Sequence, residues 1–139
     1  MKRSKQDIVF SDLVRERASW KCEYCGIYLE HDKVRLHCSH LFTRAYHIVR
    51  WHPDNAFAHC ATCHRRLEND PHEFGRWAEE KLSEERIGAL RALVYSTLKL
   101  TKADKEDLHK HLRKEMRRLK DLRSDGHQGR LEFSGWQTA

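Results

Sequence analysis

The sequence predicts an α+β fold: a small ββα core, stapled across its base, continued by a mainly helical C-terminal extension. Three observations carry that prediction. Two Cys-x-x-Cys pairs, Cys22-Glu23-Tyr24-Cys25 and Cys60-Ala61-Thr62-Cys63, bracket one stretch of chain. Two such knuckles can offer one Zn²⁺ four inward-pointing thiolates in tetrahedral geometry. Between them lie two short strand-like runs, Ile27-Tyr28-Leu29 and Val34-Arg35-Leu36, about a His31-Asp32-Lys33 turn. Beyond residue 61, apolar residues recur at helical spacing almost to residue 123.

The 139 residues suffice for one domain, but 39% hydrophobic and 35% charged residues leave a modest core, a shortfall that a metal staple offsets. Four thiolates leave a zinc ion no open position, so the expected zinc is structural. Five cysteines without an apolar leader at the start of the chain point to a reducing interior and a cytoplasmic protein. The fifth, Cys38, is expected as a buried or semi-exposed thiol. No apolar run approaches the roughly 18 residues of a membrane span, so none is expected. The formal charge of +6, with 27 Lys and Arg spread over the chain, suits an anionic polymer.

Taken in order, residues 1–20 read as a basic arm followed by a helix over 12–19 capped by Ser11. Residues 21–70 form the zinc-bound core, with His40 at the mouth of its hairpin. Residues 41–59 lack a lasting period and read as a long ordered loop, a kind of segment that is usually functional. A helix starts at the second knuckle with His64 in its first turn. Residues 71–123 form the helical extension. Asp70 and Pro71 open a helix over 71–81, and Ser83 opens another with Ile87, Leu90, Val94 and Leu98 as its buried stripe. Thr101 and Asp104 cap a helix reaching 123, with Leu108, Leu112, Met116, Leu119 and Leu122 on one face. Its other face carries Lys110, Arg113, Lys114, Arg117, Arg118 and Lys120; this is expected as a solvated back, with DNA contact or dimerisation as alternatives. Residues 124–139 read as a flexible tail in which Phe133 and Trp136 have no evident role.

Of the 11 histidines, His31, His72, His109, His111 and His127 fall in turns or on helix faces and need no function. His40 and His64 differ in position. A hairpin-end His, a following loop with Asn55 and a helix-start His beside a zinc knuckle match the parts of a ββα-metal phosphodiesterase. That chemistry asks for a neutral imidazole to activate water, a carboxamide to fix its loop, and a helix residue to hold a divalent cation.

The run resembles the zinc-containing HNH, or His-Me finger, endonucleases, most of all the lambdoid-phage NinG (Rap) recombination family. The matching residues are Ser39-His40-Leu41, Arg50-Trp51-His52-Pro53-Asp54-Asn55 and Cys60-Ala61-Thr62-Cys63-His64, with Glu85-Arg86-Ile87-Gly88 and the 101–123 helix resembling that family's tail. Phage endonuclease VII, a junction resolvase, is a more distant likeness. The resemblance implies a structure-selective DNA endonuclease acting on branched intermediates such as Holliday junctions or D-loops, in a bacterial host cell. It implies His40 as general base, Asn55 as loop-fixing residue and His64 as ligand of a catalytic Mg²⁺ or Mn²⁺. Cys22, Cys25, Cys60 and Cys63 would hold the structural Zn²⁺, and Arg44, Arg50, Arg65 and Arg66 would contact phosphates. The sequence departs from the pattern at Ser39, where many HNH enzymes place an Asp ligand, and at His64, where the NinG pattern has Asn. Asp54 and His52 are the compensating candidates. Opposed nicks on a junction make a homodimer through the 101–123 helix attractive. Two other readings are a zinc-stabilised DNA-binding or recruitment module without catalysis, and a general HNH nicking or restriction-type nuclease.

Overall fold

The computed structural model describes residues 2–136. Its first helix, α1 (Lys5–Arg17), starts at residue 5 rather than 12. Ser4 and Asp7 close a capping box, each side chain accepting from the other's backbone N–H; such a cap contributes about 1 kcal/mol. The expected basic arm is thus mostly the helix's first turn, and Ser11 lies buried inside it.

The expected hairpin between 27–29 and 34–36 does not form. Asp32 Oδ1 accepts from the Val34 and Arg35 N–H groups, which holds that segment as a turn, while Tyr28 makes only a lone bridge with Lys21. The hairpin instead joins β1 (Leu36–His40) to β2 (Ala56–Cys60), antiparallel, with Leu36 opposite Cys60 and His40 opposite Ala56. His40 still stands at the hairpin's mouth, now next to the loop 41–55. That loop holds one helical turn, α2 (His47–Arg50), and a 3₁₀ turn over Pro53–Asn55.

Downstream, local capping chemistry sets the elements where the sequence predicts them. Cys60 Sγ accepts from Cys63 N–H to open α3 (Ala61–Asn69). Asp70 caps α4 (Pro71–Lys81), Ser83 caps α5 (Glu84–Val94), and a Thr101 and Asp104 capping box opens α6 (Lys102–Ser124). Because α5 stops at Val94, Leu98 leaves the stripe and is 60% exposed.

Two apolar clusters flank the hairpin. One joins Phe10, Leu13 and Val14 of α1, Leu36, Ala56 and Ala58 of the strands, Leu108, Leu112 and Leu119 of α6, and Phe133. It draws on all four predicted segments. The other joins Phe57, Leu67, Phe74, Ala78 and Ile87. The apolar face of α6 therefore packs inside the chain, on α1, with Leu108, Leu112 and Leu119 buried and Met116 and Leu122 partly so. Its basic residues Lys110, Arg113, Lys114, Arg117 and Lys120 are exposed, and Arg118 pairs with Glu115.

The end of the chain corrects the expectation of a flexible tail up to residue 136. Leu131 N–H donates to the Arg17 carbonyl at 3.0 Å, Ser134 bonds Glu115, and Phe133 is buried beneath the Arg17 guanidinium. Residues 137–139, part of that expected tail, lie outside the described residues. Among the described residues no helix is long and apolar enough to cross a membrane.

Candidate functional site

The cysteine pairs meet. The Sγ atoms of Cys22, Cys25, Cys60 and Cys63 all lie within 4.8 Å of one another, with Cys25 and Cys60 3.9 Å apart. Four sulfurs at about 2.3 Å from a zinc ion stand about 3.8 Å apart along a tetrahedron's edges, whereas a disulfide needs about 2.05 Å. All five cysteines are free. The first knuckle is turned by Gly26 at φ 82°, its N–H donating to Cys22 O at 2.8 Å. The second sits where β2 runs into α3, so one bound ion would tie the start of the core to its hairpin and helix. These four residues fit a structural metal such as zinc. Cys38 lies apart from them, and burial pushes its thiol up to about 12 against the opposing pull of Arg15 and Arg17.

A cavity of ≈ 560 Å³ opens between the hairpin's mouth and α3, lined by Ser39, His40, Arg44, His64, Glu68 and neighbours. His40 Nε2 lies 2.9 Å from the Arg50 carbonyl oxygen. A carbonyl only accepts, so Nε2 carries the proton and Nδ1 keeps its lone pair. Nδ1 makes no hydrogen bond among the described residues and is not sealed from solvent. Burial pulls the His40 pKa down to about 4, against a smaller upward pull from the Arg50 carbonyl, so the ring is neutral at pH 7.

Asn55 is fully buried and knots the loop. Its Nδ2 donates to Phe42 O at 2.9 Å and Val49 O at 3.0 Å, and its Oδ1 accepts from Phe42 N–H at 2.7 Å. These bonds span the loop that carries the Arg50 carbonyl. His64 sits in the first turn of α3, and Glu68 follows one turn later on the same face. Burial and then His37 lower the His64 pKa, while Glu68 raises it. Ser39 Oγ is buried without a hydrogen-bond partner beside them.

The chain matches no family model, no curated protein and no solved structure.

Among the described residues the four cysteines are the one group of three or more His, Cys, Asp or Glu that converges on a single point. The cavity offers a looser set: the His64 imidazole, the Glu68 carboxylate and the orphaned Ser39 hydroxyl. Glu68 was legible as His64-x-x-x-Glu68, a spacing that puts both side chains on one helix face. The candidates to replace a carboxylate at Ser39 are elsewhere: Asp54 pairs with Arg86, and His52 Nδ1 accepts from Asp54 N–H.

The four arginines part company. Arg65 is exposed on α3, and Arg44 lines the cavity while bonding Asp7 Oδ2 at 3.1 Å. Arg66 pairs with Glu73 and stacks 5.5 Å above the Tyr24 ring, which fastens α4 to the first knuckle. Arg50 is 4% exposed, its Nε 2.9 Å from Asp7 Oδ1. A buried guanidinium bonded to a buried carboxylate is a structural tie between α1 and the loop.

Proposed function

We propose that this protein is a divalent-metal-dependent DNA endonuclease of the HNH, or His-Me finger, type, built on a structural Zn²⁺ and acting on branched DNA. The observation that carries this reading is the imidazole of His40, anchored through Nε2 to a backbone carbonyl and neutral, on the wall of a cavity that also holds His64 and Glu68. An anchored neutral imidazole with a bare Nδ1 is the arrangement of a general base.

In the proposed reaction His40 Nδ1 takes a proton from water, and the water's oxygen attacks phosphorus in line with the departing ester oxygen. The P–O ester bond breaks, and the departing oxygen is protonated from solvent. A Mg²⁺ or Mn²⁺ held by His64 and Glu68 would supply neutralisation of charge on the phosphate oxygens. Asn55 keeps the loop, and with it the Arg50 carbonyl, in register with His40. Arg44, on the cavity wall, and Arg65, exposed on α3, would contact phosphates, giving sequence-independent, salt-sensitive binding.

The test is cleavage of linear, flapped and four-way DNA by wild type and His40→Ala, with Mg²⁺ and Mn²⁺. Loss of the base is expected to slow cleavage about 10²- to 10⁴-fold without loss of bound zinc; undiminished cleavage by His40→Ala would overturn the reading. Ser39, standing where a carboxylate would complete the ligand set, favours a second reading: a zinc-stabilised module that binds branched DNA without cutting it. Tight binding without metal-dependent nicking by wild type selects that reading. Cleavage of all three substrates at equal rates selects a general nicking nuclease.

A further inference from the structure

His37 stands three residues before His40 on β1 and has no part in the reaction above. Its ring is held at both nitrogens. Nε2 lies 2.9 Å from the Val34 carbonyl oxygen, and Nδ1 lies 3.0 Å from Nδ1 of His64, with the two rings nearly perpendicular at 83°. The Val34 carbonyl is itself fixed, because Asp32 gathers the N–H groups of Val34, Arg35 and Leu36 around one turn.

These contacts determine where the protons are. A carbonyl only accepts, so Nε2 of His37 carries a hydrogen. A neutral His37 then has a bare Nδ1, which can only accept, and the hydrogen between the two rings must belong to His64. His64 is left with its lone pair on Nε2. That nitrogen makes no hydrogen bond among the described residues. It is also not sealed from solvent, in contrast to both ring nitrogens of His59. His64 lines the cavity with Ser39, His40 and Glu68, whereas His37 does not.

We infer that the chain Val34, His37, His64 fixes His64 in the Nδ1–H tautomer, so that Nε2 presents its lone pair to a divalent cation in the cavity. His37 is then a positioning residue, acting on the cation through His64. Partners of this kind orient a ligating imidazole, and losing one typically costs a factor of about 10 to 100 in metal affinity. The identity of the ligand rests on the endonuclease reading; the tautomer does not.

The test uses zinc-loaded, ¹⁵N-labelled full-length protein. Multiple-bond ¹H–¹⁵N spectra of the imidazoles should show His64 as the Nδ1–H tautomer in wild type and in His37→Asn, whose Oδ1 takes the place of Nδ1 as acceptor. In His37→Ala that tautomer should be lost. Titration with Mn²⁺ alone should show affinity falling about 10- to 100-fold in His37→Ala and largely rescued in His37→Asn. A wild-type His64 protonated at Nε2 would overturn the inference, as would simultaneous Mn²⁺ ligation by His37 and His64. Equal Mn²⁺ affinity in wild type and His37→Ala would overturn it too. If His37→Ala fails to fold, the wild-type tautomer and His37→Asn decide. The two readings fail separately. Wild type with the expected tautomer and Mn²⁺ response but no DNA cleavage sinks only the nuclease, and cleavage with His64 in the other tautomer sinks only the role of His37.

Discussion

On one face of the β1–β2 hairpin, Leu36, Ala56 and Ala58 press on Phe10, Leu13 and Val14 of α1; on the other, His37, Ser39, Phe57 and His59 turn toward α3 and α4. The first face is over-determined. Asp7 accepts from Ser4 N–H, Arg44, Arg50 and Trp51, with Trp51 Nε1 at 3.0 Å, so a single buried carboxylate ties α1 to the loop. The second face is under-satisfied. Of the four buried side-chain polar atoms without a partner among the described residues, three lie there: Ser39 Oγ and both ring nitrogens of His59. Native folds leave few such groups, and they concentrate where chemistry is done. The pairing is also mechanical. Asp7 holds Arg50, the Arg50 carbonyl holds His40, and His40, at the end of β1 on the face that packs on Phe10, also lines the cavity.

The largest expected effect comes from breaking what both faces share. Removing the metal with a chelator, or changing Cys60 to Ala, is expected to abolish cooperative thermal unfolding, because structural zinc sites contribute on the order of 10 kcal/mol. Circular dichroism with metal analysis reads this out. An unchanged melting transition after the metal is gone would show that the hairpin's two faces hold together without the clamp.

Next in size is the over-determined face alone. Asp7→Ala leaves Arg50 buried without its carboxylate, a loss expected to cost about 3 to 5 kcal/mol in urea unfolding. Burial pushes the Asp7 pKa up, but bonds from Arg50, Ser4 and Trp51 outweigh it and hold the carboxyl well below the usual carboxylate range. The sign follows. A depressed folded pKa gives stability that is present above the unfolded value, near 3.9, and lost as pH falls toward the folded one. Asp7→Ala should therefore flatten the acid end of the stability curve. It should also slow DNA cleavage by loosening the carbonyl that anchors His40. A variant destabilised yet fully active once folded would cut the mechanical link between the faces.

Smaller, and confined to the cavity, is the pH dependence of cleavage. With its folded pKa near 4, His40 stays a base throughout the neutral range. The rate is expected to be flat in this group from about pH 5.5 upward, with no inflection at the ordinary histidine value near 6.5. An inflection near 6.5 that disappears in His40→Ala would show that the ring is not desolvated by its neighbours as the structure has it.

What the sequence made legible was the local chemistry. The Cys-x-x-Cys spacing and the caps at Asp70, Ser83 and Thr101 each need only neighbours a few residues away, and all stand where expected. The strand Ala56–Cys60 was hidden because nearly all of it is buried on both faces, which erases the alternation that marks a half-buried strand. Arg50 read as a surface cation because its partner Asp7 lies 43 residues away. His37 and His59 carried no motif at all. Their meaning comes from register, which sets them opposite each other on the hairpin, and from His64 arriving on α3.

His59 gives the smallest and sharpest test of the comparison. Its ring is fully buried 6.0 Å from Phe57 and 4.9 Å from Trp77, with neither nitrogen bonded, and burial pulls its pKa down to about 3. Leaving a buried polar group unpaired costs roughly 1 to 3 kcal/mol, and some of that gain is offset by the tighter packing of a larger ring. His59→Phe is therefore expected to stabilise the zinc-loaded protein by about 1 kcal/mol at pH 7.5. The unfolded chain protonates His59 near 6.5 and the folded chain does not, so the wild type loses stability as pH falls between those values. At pH 5.5 the advantage of His59→Phe should widen by about 1 kcal/mol, measured as the shift in urea midpoint between the two pH values. A variant that is less stable at both, with the same gap, would mean that His59 is satisfied in solution. The second face would then be as well bonded as the first, and Ser39 would remain its single orphan.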